Sequence, residues 1–314
     1  MPRQQFPGCT GKPTIMNIAV ITGHEFHHKY FAYELYRELG VKLIVIQQPV
    51  HHIGRSFREK KLLSFGLYWF LQKMLSLLYN FLGKNSMSGA LKTREKQYFE
   101  PYGEKFAEIP GDIIIRVPSV NDDTVAHLLQ EKNIDIICFL GGEIVDGKII
   151  RTARMCSLNF HSGLSPYYNG NKSIFHAVKD HRPNFAGGTL MYITPRVDGG
   201  KILAHFIPFI ECNDTAADLF MKTIIGAVKL YLSFFSYIRE HPLPEGVIQE
   251  RSFRYTRNID WTIMDDIRLR RFEKENGMKR FIRGEQFIYY YDLGQGELPS
   301  VYQQSLAVIL GKTP

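Results

Sequence analysis

The chain has 314 residues, 45% of them hydrophobic and 22% charged. That composition supplies a buried core and excludes a globally disordered chain; the length fits one large domain, or a domain of about 200 residues with an appendage. A formal net charge of +8 favours anionic partners such as phosphates, nucleotides, folate glutamates, RNA or acidic lipid without choosing among them, and it reads equally well as solvated surface.

Residues 1–15 are polar, rich in Pro and Gly, and lack the apolar core of a signal peptide, so they read as a disordered leader with the first element starting at Met16. Residues 16–22 form a short apolar run ending at Gly23, the pattern of a buried strand. Phe31, Leu35 and Leu39 give 29–39 a helical spacing that Gly40 stops, and 41–47 is a second strand. Residues 112–117 are expected as a third strand, 121–132 as a helix opened by Asn121 or Asp122, and 134–140 as a fourth strand closed by Gly141-Gly142. This alternation predicts an α/β sheet wound by right-handed crossovers. Further on, 157–161 reads as a strand and 172–180 as a helix. The strands 188–194 and 201–209 flank a turn-rich PRVDGG link and are expected to pair antiparallel. Residues 214–240 make one long helix, stopped by Pro242 and Pro244. The tail, 243–314, mixes charge with aromatics, holds a strand near 286–292, and is expected to form a small accessory unit.

One segment departs from this alternation. Residues 62–82 are almost wholly apolar, bracketed by Lys60, Lys61 and Lys84, within an expected helical insertion at about 56–100. Gln72, Lys73, Ser76 and Asn80 form a polar stripe at helical spacing, and Gly66 interrupts the run. Three readings follow: a buried or interface helix, through which two copies could pair as a homodimer; a helix lying on an anionic membrane surface; and a membrane span.

Cys9, Cys138, Cys156 and Cys212 show no metal-ligand spacing, which points to a reducing, cytoplasmic setting. His24-Glu25-x-x-His28 has the H-E-x-x-H spacing of zinc hydrolases, but it follows directly on a strand and is expected in a loop that does not secure the i, i+4 geometry, so chance, a role in acceptor binding and a zinc site are its three readings. His51-His52 reads as surface. The basic cluster Lys92, Arg94 and Lys96, and Trp261 with Arg268, Arg270 and Arg271, read either as solvated faces or as contacts to an anion.

The stretch SLNFHSGLSPYYNG, residues 157–170, carries the chemistry. Asn159 and His161 are two apart on a strand and therefore share a face. Asp198 falls in a turn whose two glycines allow close backbone approach. A carboxamide to donate to an oxyanion, an imidazole to move protons and a carboxylate to support it suit acyl transfer to an amine. Spacing alone is equally consistent with a packed histidine bonded to Asn159 and with a routine turn aspartate.

NFHSGLSPYYNG resembles the N-x-H-x-S-L-L-P-x-x-x-G signature of the folate-dependent formyltransferases, the family of the methionyl-tRNA, glycinamide ribonucleotide and amino-sugar N-formyltransferases, and VDGGKIL resembles that family's D-x-G-x-I-L segment. The segments recur in the family's order across about residues 16–240. The resemblance implies a Rossmann-like α/β formyltransferase sheet, mostly parallel with an antiparallel pair, in a catalytic domain over 16–242. It implies Asn159, His161 and Asp198 as catalytic residues. It also implies a pterin site for the co-substrate 10-formyltetrahydrofolate at Leu140, Gly141, Gly142, Glu143, Ile144, Val145 and Val197, with no metal. His24, at the end of the first strand, and Tyr167, Tyr168 and Gly170 are candidates for holding a phosphate-bearing amine acceptor. Ser162-Gly163 stands where the family has Pro-Ser, and Ser165 replaces a Leu. The SPYYNG variant resembles members that formylate amino sugars, so a nucleotide-linked amino sugar is the expected acceptor. Initiator methionyl-tRNA is the alternative, although nucleic acid is not the expected partner. A catalytically idle protein that binds folate or membrane is the alternative of another class.

Overall fold

Short runs of successive apolar residues suit strands covered on both faces. The strands β1 (Ile18–Thr22), β2 (Leu43–Gln47) and β4 (Ile136–Leu140) are buried along almost their whole length. The computed structural model describes residues 16–49, 70–72, 74–75, 78, 87–194, 198–249, 251–291 and 305–311. The leader 1–15, His51-His52, Val197 and most of the apolar run 62–82 lie outside the described residues.

In chain order the helices are α1 (Phe26–Leu39), α2 (Met87–Phe99), α3 (Tyr102–Ala107), α4 (Asp123–Glu131), α5 (Gly147–Ile150), α6 (Ser173–Lys179), α7 (Ala216–Glu240) and α8 (Ile263–Lys274). The remaining strands are β3 (Ile114–Val117), β5 (Cys156–His161), β6 (Tyr168–Gly170), β7 (Gly188–Tyr192), β8 (Ile202–Ile207), β9 (Arg254–Thr256) and β10 (Gln286–Tyr289). Eight strands form one sheet in the order β10-β8-β7-β5-β4-β1-β2-β3. Pairing is parallel from β3 to β5 and antiparallel from β5 through β10, so the expected β7–β8 pair is present.

The two-residue period of each strand sorts its side chains into two cores. Val20, Ile44, Cys138, Leu158 and Phe160 join α1 and α7 on one face, while Ile21, Val45, Ile137 and Phe139 join Val125, Leu129 and Ile149 from α4 and α5 on the other. The start of α4 follows from its cap: the Asp122 carboxylate accepts from Thr124 N at 2.8 Å. Helix α7 opens with a reciprocal Thr215–Asp218 capping box. By length and composition it could cross a bilayer, but 67% of its apolar window is buried. Its Tyr231 hydroxyl donates to the carbonyls of Phe139 and Leu158, which pins the helix to the β4–β5 seam.

Helix α1 starts at Phe26, three residues earlier than its apolar spacing predicts, so His27 and His28 are helical while His24 stays in the preceding loop. The two histidines of the H-E-x-x-H spacing therefore do not share a helix. Among the described residues no group of three or more His, Cys, Asp or Glu is arranged to hold a metal ion.

Residues beyond 242 join the same sheet through β10, and β9 forms a separate parallel ladder with β6. A buried polar chain locks this arrangement. His205 on β8 is fully buried; its Nε2–H donates to the Ser165 carbonyl at 2.8 Å, and its Nδ1 accepts from the Tyr290 hydroxyl at 2.9 Å. Both ring nitrogens are satisfied in the neutral ring, and burial brings the His205 pKa down to about 4 from 6.5. The unfolded chain thus binds the proton more tightly between these values. Stability is fully present above about pH 6.5 and is lost as pH falls toward 4, by about 3 kcal/mol for this group. Urea midpoints measured across that window should fall with pH, and His205→Gln, which keeps a donor and an acceptor without titrating, should flatten the slope.

Candidate active site

On β5, Leu158 and Phe160 enter the α1/α7 core, which leaves Asn159 and His161 on the opposite face. The register sets Asn159 between Phe139 of β4 and Met191 of β7. A cavity of about 450 Å³ opens there, beside the carboxyl ends of β4 and β5, the position where open α/β sheets receive ligands.

The β7–β8 turn brings Asp198 to His161. Its backbone is left-handed, with φ 47°, ahead of Gly199-Gly200. His161 Nδ1 lies 3.5 Å from Asp198 Oδ1, and the two side chains are only 8% and 10% exposed. Asp198 Oδ2 accepts from the Gly170 backbone N–H at 3.0 Å. The other imidazole nitrogen, Nε2, donates to the Tyr168 carbonyl at 3.2 Å and lies 3.4 Å from Ser173 Oγ. Each ring nitrogen therefore faces an oxygen, a setting for a ring that carries and passes a proton. Asn159, His161 and Asp198, distant along the chain, all line the one cavity.

The glycine loop forms the opposite wall. Gly141 and Gly142 both adopt left-handed backbone, with φ 69° and 95°, a turn that side chains rarely enter. The loop is held from behind: Glu143 accepts from Val120 N at 2.6 Å and Asn121 donates to the Ile144 carbonyl at 2.9 Å. Leu140, Gly141, Gly142, Glu143, Ile144 and Val145 all line the cavity, as does Gly170. Ile144 is 67% exposed at the rim. With Phe139, Met191 and Ile193 it offers apolar surface beside loop backbone groups, a donor and surface set that fits a flat pterin ring.

Helix α1 supplies lining residues that the sequence reading placed elsewhere. His24 does not line the cavity; it is half-exposed beside Glu25, and His27 and His28 line it instead. His28 Nδ1–H donates to Glu25 at 2.7 Å. Burial lowers the His28 pKa to about 4, and the hydrogen bond from His28 lowers that of Glu25. At neutral pH His28 is therefore uncharged and its Nε2, packed against Gly141, is a hydrogen-bond acceptor. His27 pairs with the buried Glu95 at 2.6 Å.

Tyr167 and Tyr168, candidates for holding the acceptor, do not line the cavity. Both rings pack in a core with Leu164, Ala177 and Ile207. The Tyr167 hydroxyl bonds Ser305 and that of Tyr168 reaches Asp180. The β6–β9 ladder holds this strand so that the Tyr168 carbonyl, and not its ring, serves the site. Lys172, Met191 and Tyr255 also line the cavity and went unread in the sequence. Tyr255 arrives from β9, through a pairing that no local pattern signals.

Residues 85–233 match the family model described as Formyl transferase. A methionyl-tRNA formyltransferase from Macrococcus caseolyticus is 26% identical over 140 residues, covering 44% of this chain and 45% of that protein. A chloroplastic phosphoribosylglycinamide formyltransferase from Vigna unguiculata is 23% identical over 163 residues, 48% of this chain and 52% of that one. The chain thus spans about half the length of these curated relatives. The solved structure of a sugar N-formyltransferase from a Shewanella species is similar with a TM-score of 0.48 and 12% identity, over 81% of this chain and 87% of that one. Residues 85–233, the span that holds Asn159, His161 and Asp198, are thus similar to the formyltransferases.

Proposed function

We propose that this chain is a cytoplasmic, folate-dependent formyltransferase, with residues 16–242 as its catalytic domain and 243–314 as an accessory region. The convergence of Asn159, His161 and Asp198 on a cavity walled by the glycine loop carries this reading. Bound 10-formyltetrahydrofolate would supply the formyl group, its pterin against residues 140–145. The unprotonated amine of the acceptor attacks the formyl carbon. The Asn159 carboxamide donates to the developing oxyanion, and charged His161 stabilises the same oxygen. Asp198 holds the imidazolium and assists transfer of the amine's proton to the departing folate nitrogen as the carbon–nitrogen bond breaks.

The proposed acceptor is a nucleotide-linked amino sugar. The cavity takes Lys172 as a cation for a phosphate and Tyr255, 53% exposed, as a surface for a base or sugar ring. Neutral His28 offers Nε2 to an amine N–H from the facing wall.

Gly163, where this sequence departs from the family signature, is tied to His161. A Cβ there would meet the His161 ring and lie 2.5 Å from the Tyr168 carbonyl, the group that receives Nε2–H. Absence of a side chain lets the 162–170 loop close over the imidazole and present that carbonyl.

His161→Ala and Asp198→Ala should each lower turnover by about 100-fold or more while leaving tetrahydrofolate affinity within a few-fold; wild-type rates in both would overturn the mechanism. Nucleotide amino sugars, methionyl-tRNA and simple amines, offered with 10-formyltetrahydrofolate and read by mass spectrometry for one added formyl group, identify the acceptor. A product from methionyl-tRNA alone replaces the amino-sugar assignment. Gly163→Ala should cost about 1–3 kcal/mol in chemical unfolding and lower kcat more than it raises KM; an unchanged kcat would show that loop closure does not position His161.

A further inference from the structure

Phe70, Leu71, Met74, Leu75 and Leu78 lie on helical backbone, and each is between 44% and 54% exposed. Their spacing, i, i+1, i+4, i+5 and i+8, places all five on one helical face. Gln72 falls on the other side, and its Oε1 accepts from the Ile263 backbone N–H at 3.5 Å, at the start of α8. A surface helix normally turns its apolar face inward and its polar face to water. Here the polarity is reversed, with a polar side chain on the protein and five large apolar ones outward.

Helix α8, which Gln72 touches, carries exposed apolar residues of its own. Met264 and Ile267 are exposed, beginning one residue past the Gln72 contact. Its two acidic residues at this end point inward: Asp265 pairs with Lys179 at 2.8 Å, and Asp266 accepts from Met87 N at 2.9 Å. Burying these carboxylates leaves the outward side of α8 with Arg268, Arg271 and Lys274, and the turn that follows adds exposed Lys279 and Arg280. Of these, Arg271 is paired with Glu275.

From this pairing of an outward apolar face with basic side chains we infer that Phe70, Leu71, Met74, Leu75 and Leu78, with the outer face of α8, dock the protein onto an acidic lipid bilayer. The apolar side chains enter the headgroup–acyl boundary, and the basic side chains meet the anionic headgroups. Charge decides against a second copy as occupant: two +8 chains would bring their basic side chains together, whereas acidic headgroups neutralise them. This inference is independent of the formyl-transfer reading.

Flotation of the full chain with phosphatidylcholine vesicles, with and without about one-third phosphatidylglycerol, tests it. Co-flotation is expected with the acidic vesicles and should weaken as salt is raised. Leu71→Glu with Leu75→Glu should reduce it at least about 10-fold, and Arg268→Glu with Lys274→Glu should reduce it several-fold while the melting temperature holds. If the first pair fails to fold, the second pair decides alone. Absence of flotation with acidic vesicles overturns the inference, as does equal recovery of wild type and the folded variants. So does a lipid-free dimer that the same substitutions dissociate, which would assign the face to a second copy.

Discussion

The Asp198 carboxylate must do two things at once: face His161 across 3.5 Å and accept the Gly170 backbone N–H at 3.0 Å. Three segments separated in sequence are held together by that one group. Strand β5 presents the imidazole, the β7–β8 turn presents the carboxylate, and strand β6 supplies both Gly170 N–H and, through Tyr168, the carbonyl that receives the second ring nitrogen. The burial of the pair makes this costly to leave incomplete, because an unpaired carboxylate away from water loses several kcal/mol of solvation. The left-handed backbone of Asp198 is consistent with a turn shaped by the reach of its side chain.

What positions that turn is the antiparallel half of the sheet. Strands β7 and β8 pair with each other, and β8 pairs outward with β10, so the C-terminal region buttresses the hairpin that carries Asp198. His205 joins this buttress to the 163–166 loop through Ser165 on one side and Tyr290 on the other. The loop that closes over His161 and the strand behind Asp198 therefore share one buried polar network. Such networks are strong when every member is satisfied and weak when one is charged or removed.

Strands and helices were legible in the sequence wherever one face or both had to be apolar. The runs at 16–22, 41–47 and 134–140, the N-cap at Asp122 and the long helix before Pro242 all carry local signals of period, cap or stop. Asn159 and His161 could be read as neighbours because a strand's two-residue period is local information. Less legible was anything decided by pairing between distant segments. Tyr167 and Tyr168 looked like ligand-stacking rings because they sit in a Pro/Gly loop, yet β9 pairs with β6 and their rings enter a core with residues from α6 and β8. Tyr255 could not be read as a lining residue for the same reason. His24 drew attention as the first residue of a motif, but α1 begins at Phe26 and turns His27 and His28 into the cavity instead.

The electrostatic character of the cavity differs from that of the chain as a whole. The molecule carries +8, a field that draws anionic ligands from a distance. At the cavity wall, by contrast, His27, His28 and His161 are each engaged by a carboxylate, that of Glu95, Glu25 and Asp198 respectively, and burial keeps His28 neutral. An acceptor bearing both a phosphate and an amine suits this division. Its phosphate is attracted by the outer field and by Lys172, while its amine meets a wall rich in oxygen and nitrogen acceptors. A cationic wall at the same place would repel the ammonium form before it could shed its proton, and an apolar one would leave the N–H groups unpaired. The α1 histidines and their carboxylate partners thus suit the amine end of the proposed acceptor, and the outer positive charge suits its phosphate end.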